Sequence, residues 1–259
     1  MNTNHEFQDQ VVLVTGGTKG IGKGIAQAFL AAGATVVVCG RQQPEDMPAH
    51  AGRSADFIAC DVREAQAVQD LVNEVRSRHG RLHVLVNNAG GAPAADAATV
   101  SPRFHESVLR LNLFSTLHAS QAANAVMQQQ AEGGVIVCIG SISALRPSPG
   151  TAAYGAAKAA VLSLVGSLAV EWAPKVRVVA VSPGPVRTEQ SHLHFGDEDG
   201  LAAVAQTIPA GRLAEPEDIA QACLFVASGR ASYMSGTNLL LHGGGERPAF
   251  LGASNAEHR

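Results

Sequence analysis

Two side chains with acid–base chemistry, Tyr154 and Lys158, stand four residues apart in the stretch GTAAYGAAKAAVLSL, which runs from residue 150 to residue 164. Side chains at this spacing lie on one face of a helix, within reach of each other. A free tyrosine has a pKa of about 10, and a nearby ammonium favours its phenolate form. We therefore expect Lys158 to lower the pKa of Tyr154 and to make the phenol a usable acid or base. The alternative is a surface pair on an amphipathic helix.

A glycine-rich segment, TGGTKGIGKGI, follows the first apolar run of the chain. Gly16, Gly20 and Gly22 fall between a predicted strand at 11–16 and a predicted helix at 21–32. Glycine permits positive φ and a close approach to the backbone, and the free N–H groups at a helix start favour a pyrophosphate. The order of strand, glycines and helix predicts a dinucleotide site. The alternative is a tight turn that needs glycine only for its own backbone.

The end of the second apolar run bears on which dinucleotide binds. The sequence there reads VVVCGRQQ, so Arg41 and no carboxylate stands where NAD-binding chains use an acidic residue on the ribose. Lys19 lies inside the glycine segment. A guanidinium can hold a 2′-phosphate through two hydrogen bonds, which favours NADP(H) over NAD(H). The alternative is that Arg41 is an exposed loop residue.

The elements that must position these residues alternate along the chain. Apolar runs typical of strands buried on both faces of a parallel sheet lie at 11–16, 34–40, 56–61, 82–90, 133–141, 176–184 and 238–244. Helices are predicted at 21–32, 63–79, 102–130, 152–173 and 216–228. This alternation predicts an α/β fold, a Rossmann-type doubly wound sheet of seven parallel strands in a single domain over residues 1–259. Segment 185–210 is the least regular and is a candidate substrate lid, and 245–259 is a C-terminal tail.

Some predicted helices carry their own start signals. Ser101 with Pro102 is typical of an N-cap followed by proline at the first helical position. Asp61 with Glu64 has the spacing of a capping box. Pro216 opens the last predicted helix.

The composition disfavours several classes of protein. The net charge is −3, the pI is near 6.4 and no run of Lys and Arg occurs, so nothing indicates a nucleic-acid partner or an anionic membrane. The N-terminus MNTNHEFQDQ lacks the apolar stretch of a secretory signal, and no uninterrupted apolar run approaches the roughly 20 residues of a membrane span. The cysteines have no CxxC spacing and stand in apolar runs, so we expect buried free thiols in a reducing, cytoplasmic compartment. They are Cys39, Cys60, Cys138 and Cys223.

Several motifs stand in one order: TGGTKGIG (15–22), CDV (60–62), NNAG (87–90), LN (111–112), GS (140–141), YGAAK (154–158) and SPGPVRT (182–188). Through them, from Val11 to Gly244, the chain resembles the short-chain dehydrogenase/reductase family, in the branch whose members are about as long as this chain. Ser141 lies 13 residues before Tyr154, as that family's pattern requires. One departure is Gly140, where a serine is often found.

The resemblance implies a catalytic set of Asn112, Ser141, Tyr154 and Lys158. Tyr154 would exchange the proton, Ser141 would hydrogen-bond the substrate oxygen, and Asn112 would hold a water in a proton relay. The residues implied to contact the cofactor are Gly16, Thr18, Lys19, Gly20, Ile21 and Gly22 at the phosphates; Arg41, Asp61 and Val62 at the adenosine; Asn88, Ala89 and Gly90 after the fourth strand; and Pro183, Val186 and Thr188, with Tyr154 and Lys158, at the nicotinamide end. Structural roles are the alternatives: a strand-end cap for Ser141, a backbone-bonded amide for Asn112 and a helix N-cap for Asp61.

The implied activity is an NAD(P)(H)-dependent oxidoreductase that interconverts a carbonyl and a secondary alcohol, with reduction by NADPH favoured. The runner-up is an NAD-dependent alcohol or hydroxysteroid type of dehydrogenase; a non-catalytic NADP(H) sensor and an assembly scaffold are more remote. Expected partners are a small, modestly hydrophobic substrate, walled by 91–97, 142–150 and 185–210, and further copies of the chain in a tetramer or dimer. His192 and His194, beside acidic residues, could bind a metal, but a polar loop is the favoured interpretation and no metal is predicted.

Overall fold

Parallel apolar strands form the centre of the fold in this computed structural model, which describes residues 6–246 and 248–253. The strands are β1 Val11–Thr15, β2 Thr35–Gly40, β3 Ala49–His50, β4 Arg53–Ser54, β5 Asp56–Ala59, β6 Val84–Asn87, β7 Gly134–Ile139, β8 Val176–Pro183 and β9 Asn238–Leu241. Seven of them pair in the order β5-β2-β1-β6-β7-β8-β9, every pair parallel, while β3 and β4 form a short antiparallel ladder. The predicted Rossmann-type sheet in a single domain is confirmed.

Helices cover both faces of this sheet. They are α1 Gly20–Ala31, α2 Ala65–His79, α3 Pro102–Leu109, α4 Ser115–Met127, α5 Ala152–Glu171, α6 His192–Phe195, α7 Glu198–Thr207, α8 Pro216–Ala227 and α9 Ala249–Ala253. On one face α1 and α8 pack against the sheet, and on the other α2, α4 and α5 do so. The central strands are apolar because both of their faces are covered: Val12 and Val14 of β1 point to the α1 side, and Leu13 between them points to the α5 side.

The helix starts differ from the sequence signals in one case. The Ser101 side chain accepts a hydrogen bond from the Phe104 N–H, and Pro216 occupies the first turn of α8, so both signals are confirmed. Asp61 does not cap α2: Glu64 is the N-cap residue and makes no side-chain cap. The capping-box prediction is wrong because the Asp61 carboxylate binds the Arg63 guanidinium instead.

The long helix predicted at 102–130 is interrupted by a π-helical turn. Residues Arg110–Phe114 join α3 to α4 in that conformation, and the buried Asn112 lies at its middle. Such a turn inserts one extra residue into an α-helix and is frequent at functional sites. It fixes where the Asn112 side chain points.

Segment 185–210, expected to be irregular, contains the helices α6 and α7. An isolated parallel β-bridge joins Val186, at the start of the segment, to Ala214. The Arg187 guanidinium forms an ion pair with Glu198 at 2.8 Å. A small apolar cluster of Leu201 and Ile208 with Leu213 packs beneath α7. The segment is thus more regular than expected, because these side chains give it a core of its own, and its role as a substrate lid stays a prediction. Of the tail at 245–259, Arg247 and 254–259 lie outside the described residues.

Helix α5 has the length and hydropathy of a membrane span, at 20 residues and a mean hydropathy of 1.5. It is nonetheless a helix of the core, because Val161, Val165 and Leu168 pack against the sheet in the main apolar cluster. Its apolar composition therefore serves burial on the sheet side.

The four cysteines are also buried and free, as predicted.

Candidate active site

Tyr154 and Lys158 face each other at the carboxyl edge of the sheet. They lie one turn apart on α5, with the Lys158 Nζ 5.6 Å from the centre of the Tyr154 ring. Lys158 is only 3% exposed, and its Nζ donates a 2.8 Å hydrogen bond to the Ile139 carbonyl at the end of β7. The predicted juxtaposition of phenol and amine is thus present, with the amine anchored on the strand end.

The pKa of the phenol moves in the direction opposite to our expectation. Burial raises the pKa of Tyr154 above its ordinary value, and the Ser141 side chain lowers it by less. Burial also lowers the pKa of Lys158 from 10.5 to about 8, while the Cys138 thiol raises it slightly. The expected lowering of the Tyr154 pKa is not found in this structure, because burial disfavours the phenolate more than its neighbours favour it.

Ser141 follows β7 and lies beside the tyrosine. Its backbone is extended, and its Oγ accepts a 3.1 Å hydrogen bond from the Ser143 N–H, which starts the short turn at Ile142–Ala144. The hydroxyl is therefore both a cap, as the structural alternative held, and a neighbour of the phenol whose pKa it affects. Its own proton stays available for an acceptor.

Asn112 is fully buried and its amide is bonded to backbone. Its Oδ1 accepts from the Gly91 N–H at 2.8 Å, and its Nδ2 donates to the carbonyls of Gly91 and Val108, each at 2.9 Å. Both amide protons are thus in use, as in the structural alternative for this residue. The side chain fixes the loop after β6, and only the second lone pair of Oδ1 and the main chain are left for a water.

The predicted phosphate turn packs against the loop that follows β6. A Cβ added to Gly22 would lie 2.3 Å from the Gly16 carbonyl oxygen and 2.4 Å from the Asn88 Nδ2. Gly16 itself has φ +63° and touches Ala89. Thr188 lies over Gly20, where an added Cβ would be 3.5 Å from its Cγ2. Glycine is required here by space as well as by conformation.

The loop after β6 joins the phosphate turn to the catalytic pair. The Asn88 Nδ2 donates to the carbonyls of Thr15 and Gly16 at 3.0 and 3.1 Å. A Cβ added to Gly90 would lie 2.7 Å from the Asn112 Oδ1 and 3.3 Å from the Lys158 Nζ. The predicted phosphate and catalytic residues therefore share one continuous rim.

The end of this rim that is predicted to bind adenosine carries two cations. Lys19 and Arg41 are exposed, and across residues 6–246 and 248–253 neither takes part in an ion pair. Thr18 contacts the strand end next to Arg41, since a Cβ added to Gly40 would lie 3.5 Å from its Oγ1. Val62 is 7% exposed and belongs to the core, so only its main chain is left for the adenine.

These features fit a dinucleotide. The glycine cradle leaves room that any side chain would fill, α1 begins there, and the two unpaired cations are suited to anions. The remaining predicted contacts also lie on this edge. They are Ile21 at the start of α1, Pro183 at the end of β8, and Val186 in the bridge beyond it.

Two residues of this site were missed from the sequence. The Thr15 Oγ1 accepts hydrogen bonds from the N–H groups of Asn88 and Ala89 at 3.0 and 3.1 Å, and so shapes the loop after β6. A polar residue ending an apolar strand was the available signal. Arg63 was missed as the partner of Asp61, although a cation two residues after a carboxylate is a visible pattern.

The predicted substrate walls meet in part. The Ala95 N–H donates to the Gly150 carbonyl at 2.8 Å, which joins segments 91–97 and 142–150. Arg146 pairs with Glu246 at 2.7 Å and so ties the second wall to the chain after β9. A separate cavity of about 450 Å³ lies at the ends of β8 and β9, and none of the four predicted catalytic residues lines it.

No metal cluster is evident in the described part of the chain, where no three His, Cys, Asp or Glu side chains converge. His192 in α6 instead places its Nδ1 3.0 Å from the Glu189 carbonyl oxygen. His194 is exposed.

Comparison with known proteins gives matches that cover most of the chain, including this rim. A family model described as "Enoyl-(Acyl carrier protein) reductase" matches residues 16–246. A probable 2,4-dienoyl-CoA reductase of Bacillus subtilis is 35% identical over 92% of this chain and 97% of its own length. A D-threitol dehydrogenase of Mycolicibacterium smegmatis is 36% identical over 91% of this chain and 92% of its own.

Solved structures agree with these sequence matches. The ligand-free aldohexose dehydrogenase of Thermoplasma acidophilum superposes with a TM-score of 0.86 at 29% identity, over 97% of each chain. The names of these three proteins point to a dienoyl thioester, a sugar alcohol and a sugar as substrates. Overall similarity therefore indicates a class of chemistry and leaves the substrate open.

Proposed function

Because the chain belongs to the short-chain dehydrogenase/reductase family of oxidoreductases that act on CH–OH and C=O groups, we propose that it reduces a small carbonyl compound to a secondary alcohol with NADPH. The observation that carries the proposal is the meeting of Ser141, Tyr154 and Lys158 on one rim with the glycine cradle. A nucleotide sensor would need the cradle but not the phenol and the amine.

The bound nicotinamide supplies the hydride in this chemistry. Ser141 donates a hydrogen bond to the substrate oxygen and orients the carbonyl. Tyr154 gives the proton to that oxygen, and its raised pKa keeps the phenol protonated at neutral pH, which suits a donor. Lys158 uses one of its three N–H groups on Ile139 and has the others for the phenol and the nicotinamide ribose.

NADP(H) is the proposed cofactor in preference to NAD(H). Lys19 and Arg41 supply positive charge at the adenosine end, and no carboxylate follows β2 at the ribose position. Gly16, Gly20 and Gly22 would hold the pyrophosphate at the start of α1. The second candidate is an NAD-dependent alcohol dehydrogenase, in which Arg41 would be a surface residue.

The proposed substrate is a modest, uncharged, largely apolar carbonyl compound. Both arginines near the predicted walls are already paired, Arg146 with Glu246 and Arg187 with Glu198. Neither is free to hold a substrate carboxylate. Segment 185–210 would act as the lid over this compound, hinged where Val186 bridges Ala214.

The test is a panel of ketones, sugars, quinones and 3-oxoacyl thioesters assayed with NADPH and with NADH. We expect turnover of at least one apolar ketone and a higher kcat/KM with NADPH. The Tyr154→Phe variant is the control: it should bind NADPH as before and lose most of its turnover. Near-full activity in that variant would contradict the role of Tyr154 as proton donor. A higher kcat/KM with NADH would contradict NADPH as the cofactor.

We also propose that the chain assembles into a dimer or tetramer in the cytoplasm. Large apolar side chains are exposed on several elements, among them Val170 on α5 (80%) and Phe114 in the π turn (44%). Exposed apolar groups of this size favour burial between copies. Sedimentation at micromolar concentration should give a species larger than a monomer, and a monomer alone would contradict the assembly.

A further inference from the structure

Asp61 and Arg63 form an ion pair beside the proposed adenosine site. The Arg63 Nε donates to both carboxylate oxygens, at 2.9 and 3.1 Å, and its Nη2 donates to Oδ2. The Arg63 backbone N–H adds a 3.1 Å bond to Oδ1. Three donor groups of one residue therefore make four hydrogen bonds to a single carboxylate, more than a helix cap would need.

This pair is close to the cation proposed to bind the 2′-phosphate. The Cys60 N–H donates to the Gly40 carbonyl at 2.9 Å, so the pairing of β5 with β2 continues up to the residues that precede Asp61 and Arg41. Arg41 and Asp61 thus leave adjacent strand ends. The positive charge of Arg41 also contributes to the low pKa of the Asp61 carboxyl, after the larger effect of Arg63.

An unpaired carboxylate at this place would oppose a phosphate in two ways. It would attract the Arg41 guanidinium to itself, and it would repel the phosphate directly. The side chains of Asp61 and Arg63 are 29% and 37% exposed, so such effects are moderated by solvent but not abolished.

We propose that Arg63 is a positioning residue for cofactor selectivity, which neutralises Asp61 and so leaves Arg41 free to bind the 2′-phosphate of NADP(H). The inference rests on the proposed function, because it concerns the same adenosine site. Arg63 itself does not touch the phosphate. Its effect passes through Asp61.

The experiment measures dissociation constants of NADPH and NADH by titration calorimetry, without turnover, and takes their ratio as the selectivity. In Arg63→Ala the selectivity for NADPH should fall roughly five- to tenfold, mostly through weaker NADPH binding. In the Asp61→Asn background, the same change at Arg63 should alter the selectivity by less than about twofold, since no carboxylate remains to be neutralised.

Arg78→Ala is the matched control, because Arg78 pairs with Glu74 at the other end of α2 and is also partly exposed. It should leave the selectivity unchanged. Arg63→Lys keeps the charge and should retain most of the selectivity. This variant is also measured in case circular dichroism shows that Arg63→Ala folds poorly.

Two results would overturn the inference. Selectivity in Arg63→Ala equal to that of the unaltered chain would show that the pair does not act on the phosphate. If Arg63→Ala lowered the selectivity equally in the chain with Asp61 and in the Asp61→Asn background, Arg63 would act by contacting the phosphate directly. Failure of the proposed function looks different, since the unaltered chain would then bind neither nucleotide or would prefer NADH.

Discussion

Replacing Lys158 with Met should stabilise the protein at neutral pH while removing its activity. Lys158 is 3% exposed, and burial brings its pKa from 10.5 to about 8. At about 1.4 kcal/mol per pKa unit, the ammonium costs the fold about 3 kcal/mol at pH 7. Methionine is an unbranched side chain only one atom shorter and carries no charge, so this cost disappears in the variant.

The gain has an opposing contribution and a definite pH dependence. Loss of the hydrogen bond from Lys158 to the Ile139 carbonyl should cost about 1 kcal/mol, which leaves a net gain of about 2 kcal/mol at pH 7. Because the folded pKa lies below the unfolded one, the unfolded chain binds more protons between pH 8 and 10.5, and the unaltered protein gains stability as the pH rises through that window. By pH 10 the variant's advantage should have fallen to about zero.

The assay is urea unfolding of nucleotide-free protein at pH 7 and pH 10, with the protomer concentration held fixed. Lys175→Met is the control: Lys175 is exposed and its Nζ donates to the carbonyls of Gln128 and Gln130, so its removal should give no gain at either pH. If Lys158→Met is destabilised to the same extent at both pH values, the assigned cost of burying the ammonium is wrong.

Further predictions concern the phenol, a tight contact and a helix cap. Because burial raises the pKa of Tyr154, alcohol oxidation, which needs the phenolate, should accelerate about tenfold per pH unit on the alkaline side of neutrality, and a flat kcat/KM profile would contradict this. Gly140→Ala should destabilise by about 1–3 kcal/mol in urea, since its Cβ would lie 2.2 Å from the buried Ser182 Oγ. Ser182→Ala should cost little and should rescue Gly140→Ala, because that hydroxyl has no partner among the described residues; a purely additive double variant would refute the contact. Ser101→Ala should cost about 1 kcal/mol through loss of its bond to the Phe104 N–H, and an unchanged urea midpoint would show that the cap contributes nothing.

The architecture was predictable because it follows from local patterns. Short apolar runs rich in β-branched residues that alternate with longer helical patterns are typical of strands covered on both faces, so the parallel sheet and its seven strands could be predicted from the sequence. The four-residue spacing of Tyr154 and Lys158 likewise fixed that they would share a face of α5, whatever packed around them. The glycine segment also fell where a strand meets a helix, as expected.

Tertiary contacts decided what those local patterns could not. The phenol and the amine both lose solvent when α5 packs on the strand ends, and this burial, not their spacing, sets the direction of both pKa changes. The sequence by itself determined which groups meet at the rim; partners distant in sequence determined their ionisation and their free hydrogen-bonding atoms. Asn112 has no amide proton left because one is donated to the carbonyl of Gly91, 21 residues earlier, and the other to that of Val108. The physical reason is that desolvation and hydrogen-bond competition depend on every neighbour in space, whereas spacing along a helix depends only on the chain.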